Sequence, residues 1–266
     1  MQEHYNPVAV IFDALIRDSD RVISIVGGGG KTSLLFLLAH AFQKKGARVV
    51  STTTTRILKP TPQQSAAVLF AEDDGFQKNV QKSLVQYGHI TVANTLLDSG
   101  DKLQGLRCTQ VEQLFSFPCV ERILIEADGA RRLSFKAPGE NEPVVPQITD
   151  LFVGVIGLDI IGKPLDDSHV FRAGLVSSLT GLPLGDTITP LTVATLTVHT
   201  NGLLKGCPEQ ARSTVFLNKT DFPGGEANAL AVIEAAKRLK GVKPDFWTCG
   251  SILENRCESF IPVAAN

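Results

Sequence analysis

Gly27, Gly28, Gly29 and Gly30 run directly into Lys31, Thr32 and Ser33, with an apolar run before them and a helical period after them. The run is residues 21–26 (RVISIV), of strand length and ending in glycine. The period covers residues 31–45, where Leu34, Leu35, Leu38, Ala41 and Phe42 recur at helical spacing until Gly46 stops it. A strand that turns on glycines into an amphipathic helix belongs to a mostly parallel sheet. Glycine backbones curl tightly there and aim successive N–H groups at an anion, and the helix N-terminus adds its dipole. Lys31, expected at the start of an exposed loop, would reach β- and γ-phosphates, and the Thr32 hydroxyl would ligate Mg²⁺. The loop is a shortened form of G-x-x-x-x-G-K-[ST], because Ile25 stands where the first glycine would fall. A plain glycine turn beside a surface lysine is the alternative. The strand before and the helix after favour a nucleotide site.

Short β-branched runs continue at residues 48–53, 66–70, 89–93, 122–126, 151–156 and 214–217. Helical periods fall between or after them, at residues 76–87, 168–179, 190–199 and 226–239. This alternation predicts an α/β fold, a P-loop NTPase-like, mostly parallel sheet with helices on both faces. Residues 60–113 are richer in Gln and weakly periodic, and read as an elaboration of the core sheet. The expectation is one P-loop α/β domain over residues 1–266. The Pro-rich loop 137–146 (APGENEPVVP) is the candidate hinge if a second lobe begins at about residue 147.

Charge and cysteine content exclude several classes. Twenty-six Lys+Arg against 27 Asp+Glu leave a net charge of -1, so no global electrostatic case exists for a nucleic-acid or anionic-membrane partner. No apolar run approaches the ~18 residues of a membrane span, and MQEHYNPVAV lacks the basic-then-apolar order of a secretory signal. Five cysteines without a C-x-x-C pair suit reduced thiols. The expected location is cytoplasmic.

Three further pieces follow the glycine loop in order. The hydroxyl run Ser51-Thr52-Thr53-Thr54-Thr55 ends a strand, and Thr53 is a candidate metal contact. An ordinary strand end is the equal alternative. Next, the apolar run 123–125 empties into Glu126 and Asp128, two carboxylates on one face that suit a Mg²⁺ water shell. Which of them holds the metal stays open. Arg131 and Arg132 follow and could stabilise a developing phosphate anion. Lys31, Glu126, Asp128 and Arg131 are the catalytic candidates. The third piece, Asn218-Lys219-Thr220-Asp221, suits guanine: an Asp carboxylate accepts the N1–H and N2 protons that adenine does not offer as a pair. Asn218 would brace O6 or the loop, and the Lys219 stem would lie on the base. GTP is therefore expected, with ATP the alternative. Cys249-Gly250-Ser251 reads as a weak closing loop. His169 and Arg172, three apart, are placed on one helix face, where they could read a substrate.

The blocks VGGGGKTS, STTTT, IEADGA, KAPGENEPVVP, VIGLDIIGKPL, HVFR and FLNKTD, in this order, resemble the YqeC family. That family is described as accessory to selenium-dependent molybdenum hydroxylases. The resemblance implies a P-loop nucleotide-binding fold and a cytoplasmic role in maturing or inserting a molybdenum or selenium cofactor. It implies a partner too, a molybdenum hydroxylase or a cofactor-maturation protein. Matching of blocks carries over Gly28 to Thr32, Glu126, Asp128, Lys136, Glu142 and Arg172 as site residues. For Lys136 and Glu142 a loop salt bridge is the plainer alternative.

Three functions compete. The first is a Mg²⁺-dependent, GTP-preferring accessory protein whose slow hydrolysis gates cofactor handling, with residues 52–56 and 128–132 as switch loops. The second is a kinase or ligase acting on a small metabolite or cofactor precursor, with Lys136, Glu142, His169 and Arg172 around the acceptor. The third is a scaffold with a degenerate nucleotide site.

Overall fold

The computed structural model describes residues 10–260. A short helix, α1 (Ile11–Leu15), precedes β1 (Val22–Gly27), α2 (Lys31–Lys44) and β2 (Val49–Thr53). The middle of the chain forms β3 (Arg56–Leu58), β4 (Val68–Phe70), α3 (Phe76–Tyr87), β5 (His89–Ala93), β6 (Thr95–Leu96), β7 (Lys102–Gln104) and α4 (Cys108–Phe115). Then come β8 (Arg122–Glu126), β9 (Phe135–Lys136), β10 (Leu151–Gly157), β11 (Val170–Phe171), α5 (Ala173–Thr180) and α6 (Pro190–Val198). The last elements are β12 (Arg212–Asn218), α7 (Gly225–Arg238), β13 (Phe246–Ser251) and β14 (Arg256–Phe260).

Among the described residues one nine-stranded sheet runs in the order β14-β13-β12-β10-β1-β8-β2-β5-β4. Every pairing in it is parallel except β13 with β14. Alternation along each strand divides the core in two. Ile23 and Ile25 of β1 join Leu34, Leu35 and Leu38 of α2 on one face. Val22 and Val26 join Val193 of α6 and Val232 of α7 on the other. Both faces of the sheet are thus covered, which is the predicted α/β class. No described helix is long and apolar enough to cross a membrane.

The topology concentrates chemistry at one edge. From β1 the chain passes to β2 and on to the edge strand β4, comes back through β5 to β8, then crosses to β10, β12 and β13. The order therefore reverses at β1, and the carboxyl ends around it form the crevice where ligands of open α/β sheets bind. Register brings Ile25 beside Glu126, Thr53 beside Glu126, Gly27 beside Val155, and Gly157 beside Asn218. Strands on both sides of residue 147 pair within this sheet. The Pro-rich loop is bonded to it: Thr54 Oγ1 donates to the Val144 carbonyl at 2.6 Å, and Val144 N to that of Ala127 at 3.0 Å.

Two local expectations need correction. The helix expected over residues 168–179 begins only at Ala173. Asp166 Oδ1 accepts from the backbone N–H of Ser168 (2.9 Å) and of His169 (3.1 Å), which makes an Asx turn instead. Arg172 then adopts φ +65°, incompatible with a helix running through it. His169 and Arg172 consequently share no helix face. Cys249, Gly250 and Ser251 are the last residues of β13 rather than a loop.

Candidate functional site

The glycine loop lies between three strand ends. Gly27 N donates to Asp128 Oδ2 (3.0 Å), Gly28 N to the Val155 carbonyl (2.8 Å) and Gly29 N to the Leu133 carbonyl (3.0 Å). Those three amides are engaged with protein. The backbone N–H groups of Gly30, Lys31, Thr32 and Ser33 have no protein acceptor among the described residues. They are the donors that a phosphate could take, and they begin α2, where the helix dipole favours an anion. Gly30 has φ +137°, and a Cβ there would stand 2.5 Å from Asn218 Nδ2, so only glycine fits.

Lys31 is 4% exposed, which corrects the expectation of an exposed loop lysine. Its ammonium donates to the Gly27 carbonyl (2.7 Å) and lies 3.3 Å from Asp128 Oδ1 and 3.6 Å from Glu126 Oε1. Two carboxylates offset the cost of removing that charge from water. Thr32 Oγ1 donates to Glu126 Oε2 at 2.6 Å. The Thr53 hydroxyl donates to the Glu126 carbonyl at 2.7 Å, so it braces the end of β8. Ser33 is exposed on the first turn of α2.

The donor set suits a metal shared with a ligand. Among the described residues no group of three or more His, Cys, Asp or Glu could hold an ion alone. Mg²⁺ ordinarily takes one or two carboxylates, with phosphate oxygens and waters filling the rest. Glu126 and Thr32 meet that pattern, and Asp128 Oδ1 beside them is buried without a hydrogen-bond partner.

From Asp128 an ionic chain leads away from the loop. Lys136 Nζ lies 2.9 Å from Asp128 Oδ2 and 2.7 Å from Glu142 Oε2, and Glu142 Oε2 lies 2.7 Å from Arg172 Nη1. Lys136 also donates to the Gly129 carbonyl at 2.7 Å, and Arg172 to that of Ala137 at 3.1 Å. Burial alone would raise the Glu142 carboxyl. Hydrogen bonds from Arg172 and Lys136, and their charges, outweigh it and hold the pKa at about 2. Hydrogen bonding to Glu142 raises Arg172 in turn. Lys136 and Glu142 do form a salt bridge, and it is one link between the glycine loop and Arg172. His169 stands apart, paired with Asp166 at 2.8 Å. Arg131 is exposed and its guanidinium sits 5.0 Å from the Phe171 ring centroid.

On the other side of the loop, Asn218 Nδ2 donates to the Gly29 carbonyl (2.6 Å) while its Oδ1 accepts from Ile252 N (3.0 Å). Asn218 thus braces the loop, one of its two expected roles. Lys219, at φ +70°, donates to Asp159 Oδ2 (2.6 Å) and Ser134 Oγ (2.9 Å). Thr220 N reaches the Gly250 carbonyl at 3.0 Å, and Asp221 is exposed. Asp159, Ser134, Phe171 and Ile252 were not singled out from the sequence. Asp159 lies in the VIGLDIIGKPL block and Phe171 in HVFR, whose signal was their resemblance; Ser134 and Ile252 carried none. A cleft of about 570 Å³ lies at the opposite, amino edge of the sheet, lined by residues 13–17, 209–212, 245 and 246. Cleft volume and convergent chemistry therefore do not coincide.

A family model described as YqeC protein matches residues 23–174. A protein of Escherichia coli (strain K12) described as "Uncharacterized protein YqeC" is 33% identical over 240 residues, which cover 90% of this chain and 91% of that protein. The matched family span contains the glycine loop, both carboxylates and the ionic chain to Arg172; residues 218–221 lie beyond it.

Proposed function

The chain belongs to the YqeC family, and we propose that it binds a nucleoside triphosphate with Mg²⁺, prefers GTP, and hydrolyses it slowly to gate the handling of a molybdenum or selenium cofactor. The observation that carries the nucleotide part is the meeting of Lys31 and Thr32 with Glu126 and Asp128 beneath four unengaged amides. Those amides would cradle the phosphates, and Lys31 would move from the Gly27 carbonyl to a phosphate oxygen. Glu126 and Thr32 would hold Mg²⁺, which supplies charge to the β- and γ-phosphates when bound. Thr53 keeps Glu126 in place. Guanine preference rests on Asp221, whose exposed carboxylate is free of the core and follows a bracing Asn218. The cofactor role and the partner, a molybdenum hydroxylase or a maturation protein, rest on the family resemblance alone, whereas a cytoplasmic location is supported also by the cysteine content and the lack of a secretory pattern.

Phosphoryl transfer to a small acceptor is the second reading, and the chain Lys136–Glu142–Arg172 favours it because it orders groups next to Asp128. Competitive binding of GTP and ATP with Mg²⁺, in the wild type and in Glu126→Gln, tests the first reading. GTP should bind at least tenfold more tightly, with that binding weakened in the variant. ATP preference would sink the guanine assignment, and metal-independent binding would sink the Glu126 role. Phosphate recovered on an acceptor instead of in water would move the second reading ahead.

A further inference from the structure

Three cations surround one phenyl ring at the far end of the ionic chain. The guanidinium carbons of Arg172 and Arg131 lie 4.4 Å and 5.0 Å from the Phe171 centroid, and Lys136 Nζ lies 5.7 Å from it. The ring faces attract them, while their mutual repulsion needs anions to offset it. Within the chain of pairs, Lys31, Lys136 and Arg172 are matched in formal charge by Glu126, Asp128 and Glu142. Arg131 and Arg132 are left over: both are exposed, and neither has an ion pair or a hydrogen-bonded side chain among the described residues.

Their backbone is unusual as well. Arg131 (φ +49°), Arg132 (φ +65°) and Arg172 (φ +65°) all occupy the left-handed region that long side chains ordinarily avoid. The loop bearing the first two is pinned at both ends, by Gly29 N on the Leu133 carbonyl (3.0 Å) and by Lys136 on the Gly129 carbonyl (2.7 Å). Pinned ends and a stacked guanidinium hold Arg131 against Phe171.

We propose that Arg131, Arg132 and the exposed rim of Phe171 form a second anion site, separate from the phosphate loop, that takes a phosphate-class dianion. Two unpaired guanidiniums match the charge of a phosphate monoester better than that of a single carboxylate, and their planar forks suit its oxygens. The inference deepens the nucleotide reading, because both arginines stand on the loop that Leu133 ties to the glycine loop and that Gly129 ties to Lys136. The binding claim is testable on its own.

Inorganic phosphate, titrated calorimetrically into the wild type, Lys31→Ala and the double variant Arg131→Asn/Arg132→Asn, decides it. Asparagine tolerates the left-handed backbone, so the double variant removes charge without refolding the loop. Lys31→Ala, which disables the glycine loop, should keep phosphate binding at this second site, and the double variant should weaken it at least tenfold. If Lys31→Ala is too unstable to titrate, the wild type saturated with a non-hydrolysable nucleotide replaces it, and phosphate should still bind. Loss of binding there with retention in the double variant would place the anion on the glycine loop and overturn the proposal. So would a wild type that binds no phosphate. A double variant that loses nucleotide affinity but keeps phosphate affinity overturns it too. If the wild type takes phosphate through these arginines yet binds no nucleotide, the nucleotide reading fails and this site stands.

Discussion

The hydroxyl of Thr32 donates to Glu126 Oε2 at 2.6 Å, joining the first turn of α2 to the end of the neighbouring strand β8. One of the two carboxylates left open by the sequence is thereby singled out as the partner of the loop hydroxyl. Glu126→Gln keeps the shape and removes the charge. Nucleotide affinity in the presence of Mg²⁺ should fall at least tenfold, roughly 1.4 kcal/mol, and become insensitive to chelation. Fluorescent-nucleotide titration with and without a chelator measures both.

Lys31→Ala should now cost stability as well as affinity, because the ammonium is buried against two carboxylates. Removing one partner of a buried pair costs about 3–5 kcal/mol, less where the remaining charges can regain water. A denaturant melt of the variant should show a lower midpoint; an unchanged midpoint would mean that the lysine leaves this pocket freely.

Lys136 is 2% exposed and bridges Asp128 to Glu142. Lys136→Met leaves two acids facing each other without their shared cation, so the thermal midpoint should drop more than in Glu142→Gln, where Lys136 keeps Asp128. The reverse order would show that the chain is held from its Arg172 end.

Asn218→Ala should remove the brace on Gly29 and the contact with Ile252, worth about 1–3 kcal/mol for the buried groups left unpaired. Asp221→Asn, in contrast, touches only the exposed loop. It should spare stability and shift preference from GTP toward xanthosine triphosphate, whose C2 carbonyl accepts the new amide. Unaltered base selectivity would end the guanine assignment.

Burial, reinforced by the charge of neighbouring His40, lowers His89 to about 4. Between that value and the ordinary 6.5 the unfolded chain binds the proton and the folded one does not. Stability should therefore fall as pH drops from about 6.5 toward 4, by up to about 3 kcal/mol, and this slope should level off below. Urea midpoints at pH 7 and pH 4.5, compared with His89→Gln, isolate the contribution.

Much of the fold was legible because it is local. The run 21–26 and the stripe of Leu34, Leu35 and Leu38 announce strand and helix by period, and they became β1 and α2. The helix expected over residues 168–179 failed for a local reason with a weak signal: Asp166 captures two amides and Arg172 turns left-handed, neither of which apolar spacing records. The small strands β3, β6 and β7, which pair with one another, were invisible because two or three residues carry no period.

By itself the sequence determined the alternation of strands and helices, the glycine turn before α2 and the order of acidic and polar loops, since each depends on neighbours within a few residues. Tertiary structure alone decided that Glu126 meets Thr32, that Asp128 and Lys136 continue into Glu142 and Arg172, and that Lys31 is buried. Those contacts depend on which strands flank β1 and on their register. Both are set by packing two apolar sheet faces under helices drawn from the whole chain, which no local period encodes.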